Sequence, residues 1–217
     1  MQSWTRIYLV RHGRVADDWQ GRIYGDLDVP LSPEGEAEGR QVASLFAGRA
    51  LSGVISSGLE RAEYTAQHIR RVAKNASDGG LLSRRDDPRL RELNRGEWAG
   101  KYASELERSD PVEWQAFAES KWTTAPPGGE NLSSLAERVF AALDDHARLA
   151  QAAVAIVAHK WVLRVTICEA LGLPLDRCAT VDVPTSGLVA VDWPKERVKG
   201  AHLPELCGLG LRCLPAE

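Results

Sequence analysis

No stretch of this 217-residue chain is apolar for long enough to cross a bilayer: the longest apolar run, Ala152–Ala158, is seven residues, against the ~20 that a membrane helix needs. Cysteine is scarce, and Cys168, Cys178, Cys207 and Cys213 form no C-x-x-C pair. Met1–Arg6 carries no apolar leader, so a cytoplasmic location and reduced thiols are expected, with a Cys207–Cys213 disulfide as the alternative. Positive charge is not in excess either. Lys and Arg number 27 against 30 Asp and Glu, a net −3, so neither nucleic acid nor a membrane surface is an expected partner, and any anion site has to be local. There is no P-loop, no G-x-S-x-G elbow, no H-x-x-x-H pair, no internal repeat and no low-complexity tract. Asp144-Asp145-His146 comes nearest to a ligand cluster, but it lies on the polar side of an amphipathic helix, and no metal is expected.

What is present is an ordinary globular composition, 44% apolar and 26% charged, with no linker to divide it. One domain over 1–217 is expected, with a loosely packed tail from about 204. Ile7–Val10, Leu51–Ile55, Ala153–Ala158 and Gly187–Val191 read as buried strands, and Leu81-Leu82 as the start of a short one. Between them fall helical patterns. Ser32 caps a helix with Pro33 at its first position, and Ser56-Ser57 caps another over Leu59–Val72. Two short helices are expected at Tyr102–Arg108 and Pro111–Ser120, a long one from Asn131 or Ser133 through Leu143, and one over Lys160–Leu171. Alternating strands and helices predict an α/β three-layer sandwich, a mostly parallel sheet with helices on both faces.

Two strands end in histidine. Val10-Arg11-His12-Gly13 and Val157-Ala158-His159 each deliver an imidazole at a strand's carboxyl end, where open α/β sheets bind ligands, and Gly13 would let backbone approach a ligand. Arg61 lies in the first turn of its helix, where free N–H groups favour an anion. Arg11, His12, Arg61 and His159 around one point would make a cationic site for phosphate. Phosphate chemistry without a metal is the natural expectation.

These residues, with RIYGDLDVPLSPEG at 22–35, SSGLERAEYTA at 56–66, LRELNRGEWAG at 90–100 and PPGGEN at 126–131, resemble the phosphoglycerate-mutase-like histidine phosphatase superfamily, in one order over most of the chain. The resemblance implies that His12 becomes phosphohistidine, that Arg11, Arg61 and His159 hold the phosphoryl oxygens, and that Glu92 protonates the leaving oxygen and then activates water. It implies no cofactor, a small phosphorylated metabolite as substrate and inorganic phosphate as product. Glu97 competes locally with Glu92 for the acid role. The family often has Glu and Asn where this chain has Arg14 and Asp18, and glycines where it has Lys160-Trp161. Arg14 or Arg22 would pair Asp18, or these are surface groups; Lys160 is expected slightly more toward solvent, and Trp98 in the packing. Mutases of the family carry a longer insertion with an Arg-Arg pair, absent between Trp98 and Pro126, so the phosphatase branch is expected. A mutase-type phosphoryl transfer and a silent phospho-ligand binder remain the alternatives, and the substrate and oligomeric state are left open.

Overall fold

The computed structural model describes residues 4–197 and 204–209. β1 (Trp4–Arg11) carries Ile7-Tyr8-Leu9-Val10, all without exposed surface, because the sheet it belongs to is covered on both faces. Successive side chains of a strand point to opposite faces, and here the two sets divide cleanly. Ile7 and Leu9 join one apolar cluster, Tyr8 and Val10 the other. The first cluster is completed by α3 (Ala103–Ser109), α4 (Pro111–Glu119), α5 (Leu132–Leu149) and α6 (Lys160–Ala170), the second by α1 (Pro33–Ser44) and α2 (Glu60–Val72). Each fully buried Leu, Ile or Val contributes about 1.5–3 kcal/mol, which is why these strands read as continuous apolar runs. The α/β sandwich is as expected.

The remaining strands are β2 (Ala50–Leu51), β3 (Gly53–Ser56), β4 (Lys74–Asn75), β5 (Arg85–Asp86), β6 (Val154–Ala158), β7 (Leu188–Pro194) and β8 (Glu205–Leu209). The main sheet runs β5-β3-β6-β1-β7-β8, and β2 pairs with β4 apart from it. β5, β3, β6 and β1 are parallel in sequence, while β7 and β8 are antiparallel additions. Because β6 inserts between β3 and β1, their carboxyl ends surround the point where strand order reverses, the place ligands occupy in such sheets.

Four local expectations need correction. Leu81-Leu82 is not strand; the edge strand forms at Arg85–Asp86. The expected loose tail begins instead with β8, paired to β7, while Cys213 lies outside the described residues and Cys207 is a free thiol. Ser56 and Ser57 do not cap α2, whose cap position is Leu59. Finally, Gly13 makes room for backbone and not for a ligand. A Cβ there would sit 2.0 Å from the carbonyl oxygen of Gly35, in the first turn of α1.

Candidate active site

Register brings the two histidines together. Arg11 pairs with Ala158 across the parallel β1 and β6, so the next residue of each strand leaves the sheet at one level. The rings of His12 and His159 stand 5.1 Å apart, centroid to centroid.

His12 is buried, and its Nδ1 lies 2.7 Å from the carbonyl oxygen of Gly13. A carbonyl can only accept, so Nδ1 carries the hydrogen and Nε2 keeps a lone pair. Burial pushes the pKa of His12 well below the ordinary value, and the nearby Arg61 and Arg11 lower it further. The imidazole is therefore neutral near pH 7, the state a nucleophile needs.

His159 is fully buried, and its Nε2 lies 2.7 Å from Oγ of Ser57. Ser57 gets there because β3 flanks β6 on the side away from β1, with Ser56 opposite Val157. Oγ of Ser57 also accepts the N–H of Leu59 at 3.3 Å. With the Ser57 hydroxyl donating to Nε2, the His159 proton sits on Nδ1, a buried atom with no partner among the described residues. Burial lowers the pKa of His159 too, helped by Arg61, His12 and Arg11.

Arg61 is the second residue of α2 and is 1% exposed. Its guanidinium donates to the carbonyls of Leu27 at 2.6 Å and Gly25 at 2.8 Å, while Nε stays buried without a partner. The same loop caps the helix, since Asp28 Oδ1 accepts the N–H of Glu60 at 2.9 Å. Arg11 donates to the carbonyl of Val183 at 2.6 Å, and its Nε is likewise buried and unpaired.

Glu92 completes the set. Its Oε1 accepts from the backbone N–H of Leu93 at 2.9 Å and of Trp161 at 3.3 Å. Glu92 is 7% exposed and lines a cavity of about 240 Å³ with Arg11, Tyr24 and Trp161, whereas Glu97 is exposed and outside it. The charged segment around Glu92 is held by Arg138 of α5, which donates to the carbonyls of Arg89, Arg91 and Glu92 at 2.7, 2.8 and 3.1 Å and also pairs with Glu130. Burial, with the nearby Glu92 charge, raises the pKa of the Tyr24 phenol, so it stays a donor at the cavity wall.

The departures noted in the sequence resolve in three ways. Arg14 pairs with Asp17 at the surface, and Asp18 is exposed, offering only its backbone carbonyl to Arg22. Lys160, expected slightly more toward solvent, lines the cavity together with Trp161. Trp98 packs against Trp114 and Phe117 in the core, as expected. Asp144, Asp145 and His146 diverge to separate partners: Trp193 and Arg197, Arg89 and Arg148, and Asp87. A cleft of about 620 Å³ beside α1, lined by Glu38, Gln41, Thr185 and Ser186, holds none of the site residues.

A profile of the histidine phosphatase superfamily (branch 1) matches residues 7–203. The chain belongs to that superfamily. A protein of Enterobacter sp. (strain 638) named "Probable phosphoglycerate mutase GpmB" is 31% identical over 170 residues, 78% of this chain and 76% of its own. Among solved structures, the α-ribazole phosphatase of Shigella flexneri superimposes with a TM-score of 0.80 at 25% identity, covering 98% of this chain and all of the other. A mycobacterial glucosyl-3-phosphoglycerate phosphatase gives 0.71 at 26% identity, covering 88% and 91%. As a member of the superfamily, the chain has its two strand-end histidines, Arg11, Arg61 and Glu92 gathered at the carboxyl ends of β1, β3 and β6.

Proposed function

We propose that this histidine phosphatase superfamily member is a metal-independent phosphomonoesterase acting on a small phosphorylated metabolite. The observation that carries the reading is His12, a buried neutral imidazole whose Nδ1 is tied to backbone. Nε2 attacks phosphorus, the P–O bond to the alcohol breaks, and the departing oxygen takes a proton from the Glu92 carboxyl. Water then attacks the phosphohistidine, Glu92 accepts its proton, the P–N bond breaks, and inorganic phosphate leaves. Splitting one hard displacement into two lowers each barrier. Arg11 and Arg61 face the charge that spreads over the equatorial oxygens, and Nδ1–H of His159 adds a donor; this is most of what a protein can supply to phosphoryl transfer.

A second reading, phosphoglycerate-mutase-type transfer, is favoured by the names of the curated relatives. Against it, the segment from Trp98 to Pro126 is filled by α3 and α4 and has no Arg-Arg pair.

The test is phosphate release from a panel of monoesters with EDTA present. Wild type is expected to turn over; His12→Ala should lose on the order of 10⁴-fold or more. Glu92→Gln should lose ~10²-fold to ~10⁴-fold, most for poor leaving groups. Supplying 3-phosphoglycerate with a bisphosphate primer and finding 2-phosphoglycerate in place of free phosphate would transfer the case to the mutase. Tight ester binding without turnover would leave a silent binder.

A further inference from the structure

Two cations in the cavity have no task in that chemistry. Arg95 and Lys160 line it beside Arg11, Tyr24, Glu92 and Trp161. Arg95 forms no ion pair or side-chain hydrogen bond among the described residues; its guanidinium faces the rings of Phe117 and Trp161, 5.5 and 5.8 Å from their centroids. Lys160 also has no carboxylate within ion-pair distance among the described residues. Arg22, also on the cavity wall, donates to the carbonyls of Asp18 and Gly100, both at 2.9 Å, and covers the Tyr102 ring. Elsewhere Arg6, Arg70, Arg89, Arg138 and Arg197 each hold a carboxylate.

An enclosed guanidinium without a counter-ion costs free energy, because desolvation is not repaid. Burial lowers the pKa of Arg95, with Glu92 and Glu130 opposing, and that of Lys160, with Arg164 and Arg11 adding to the effect and Asp182 and Glu92 opposing it. Such an excess is repaired when a ligand brings the missing negative charge. Arg11 and Arg61 already meet the two charges of a phosphoryl group, and among the described residues Glu92 is the one carboxylate on the cavity wall. A further anion therefore has two unspent cations to meet.

We infer that Arg95 and Lys160 form a second anion subsite, and that the substrate is a phosphomonoester carrying another oxyanion, a carboxylate or a second phosphate, on its alcohol half. The inference rests on the proposed phosphatase reading for what fills the first subsite. A cavity of about 240 Å³ falls below the ~300–1,000 Å³ of typical drug-sized ligand sites, which selects a compact skeleton.

Calorimetry on the turnover-blocked His12→Ala protein separates binding from catalysis. The probes are glycerol 3-phosphate, 3-phosphoglycerate, which puts a carboxylate where the first has CH₂OH, and 1,3-propanediol bisphosphate with its monophosphate as control. At least one doubly anionic probe should bind about tenfold or more tighter than its control, the loss expected for a charge-assisted contact, and the larger advantage names the second group. Adding Arg95→Met or Lys160→Met should shrink that advantage to within about twofold, while Arg95→Lys should retain part of it; unchanged circular dichroism certifies each fold. No advantage for either probe, or an advantage that survives either methionine variant, overturns the subsite. Wild-type hydrolysis of the doubly anionic probes and of their controls is measured alongside. Hydrolysis without a binding advantage removes the subsite alone, and a binding advantage without hydrolysis of any of these esters removes the phosphatase reading alone.

Discussion

One hydrogen bond decides what the imidazole of His159 can do. With Ser57 donating to Nε2, the ring offers an N–H on the side of its free Nδ1; without that bond either tautomer is open to it, and one of them turns a lone pair toward the phosphoryl oxygens. Ser57→Ala is therefore expected to lower kcat about tenfold while moving KM less, since the donor matters most as charge develops. Nitrogen NMR should show the Nδ1–H tautomer of His159 in wild type and a mixture in the variant. Ser57→Thr, which keeps the hydroxyl, should restore most of both. Unchanged kcat and tautomer in Ser57→Ala would reduce Ser57 to packing. This residue was not legible in the sequence. A serine just ahead of a helix reads as its cap, and the capping is done from 32 residues away by Asp28. Arg138 was equally hidden, because its partners are backbone carbonyls 46 to 49 positions distant. Arg11, His12, Arg61 and His159 were legible because their residue types and strand-end or helix-start positions imply one chemistry; Glu92 was legible through its motif.

At the scale of elements, the long apolar strands and the amphipathic helices were readable from periodicity; the two-residue strands β4 and β5 were not, since two residues have no period, and the single strand expected over Leu51–Ile55 is divided between β2 and β3, which belong to different sheets. β8 escaped because its Glu205-Leu206-Cys207-Gly208-Leu209 stretch pairs with β7 through backbone and has little β-branched character. The interlock between the end of β1 and the start of α1 was misread for a similar reason. A glycine after a strand suggests access for a ligand, whereas Gly13 and Gly35 are the two halves of a backbone contact: a Cβ on Gly35 would lie 1.9 Å from the carbonyl oxygen of Arg14. Neither backbone can give without moving the other. Gly13→Ala is expected to cost about 2–4 kcal/mol, as overpacking against rigid atoms does, read as a lower urea midpoint at unchanged m-value. Because His12 Nδ1 bonds the carbonyl of Gly13 itself, the same variant should lose activity beyond its loss of stability. A variant as stable as wild type would mean the loop yields freely.

At the scale of the whole molecule, a chain of net charge −3 gathers cations and uncharged imidazoles in one enclosed place, and folding has to bear that arrangement. His12, His159 and His146 all have folded pKa values below 6.5, burial being the largest cause in each; for His146 it outweighs the raising effect of Asp87. In the unfolded chain each titrates near 6.5. Below that value the unfolded state binds more protons than the folded one, so stability is complete above pH 6.5 and falls as pH drops toward the folded values. A buried imidazole that stays neutral approaches a slope of about 1.4 kcal/mol per pH unit only well below its unfolded pKa. Paired carboxylates do not blur this. Asp192, held below 3.8 by its hydrogen bonds with Arg6, loses its contribution only at more acid pH. Urea midpoints should therefore hold between pH 7 and pH 6.5 and fall from there to pH 5, and His159→Gln should make that fall shallower. A flat profile from pH 6.5 to 5 would mean that both histidines protonate freely in the folded protein, and a protonated His12 has no lone pair left at Nε2 with which to attack phosphorus.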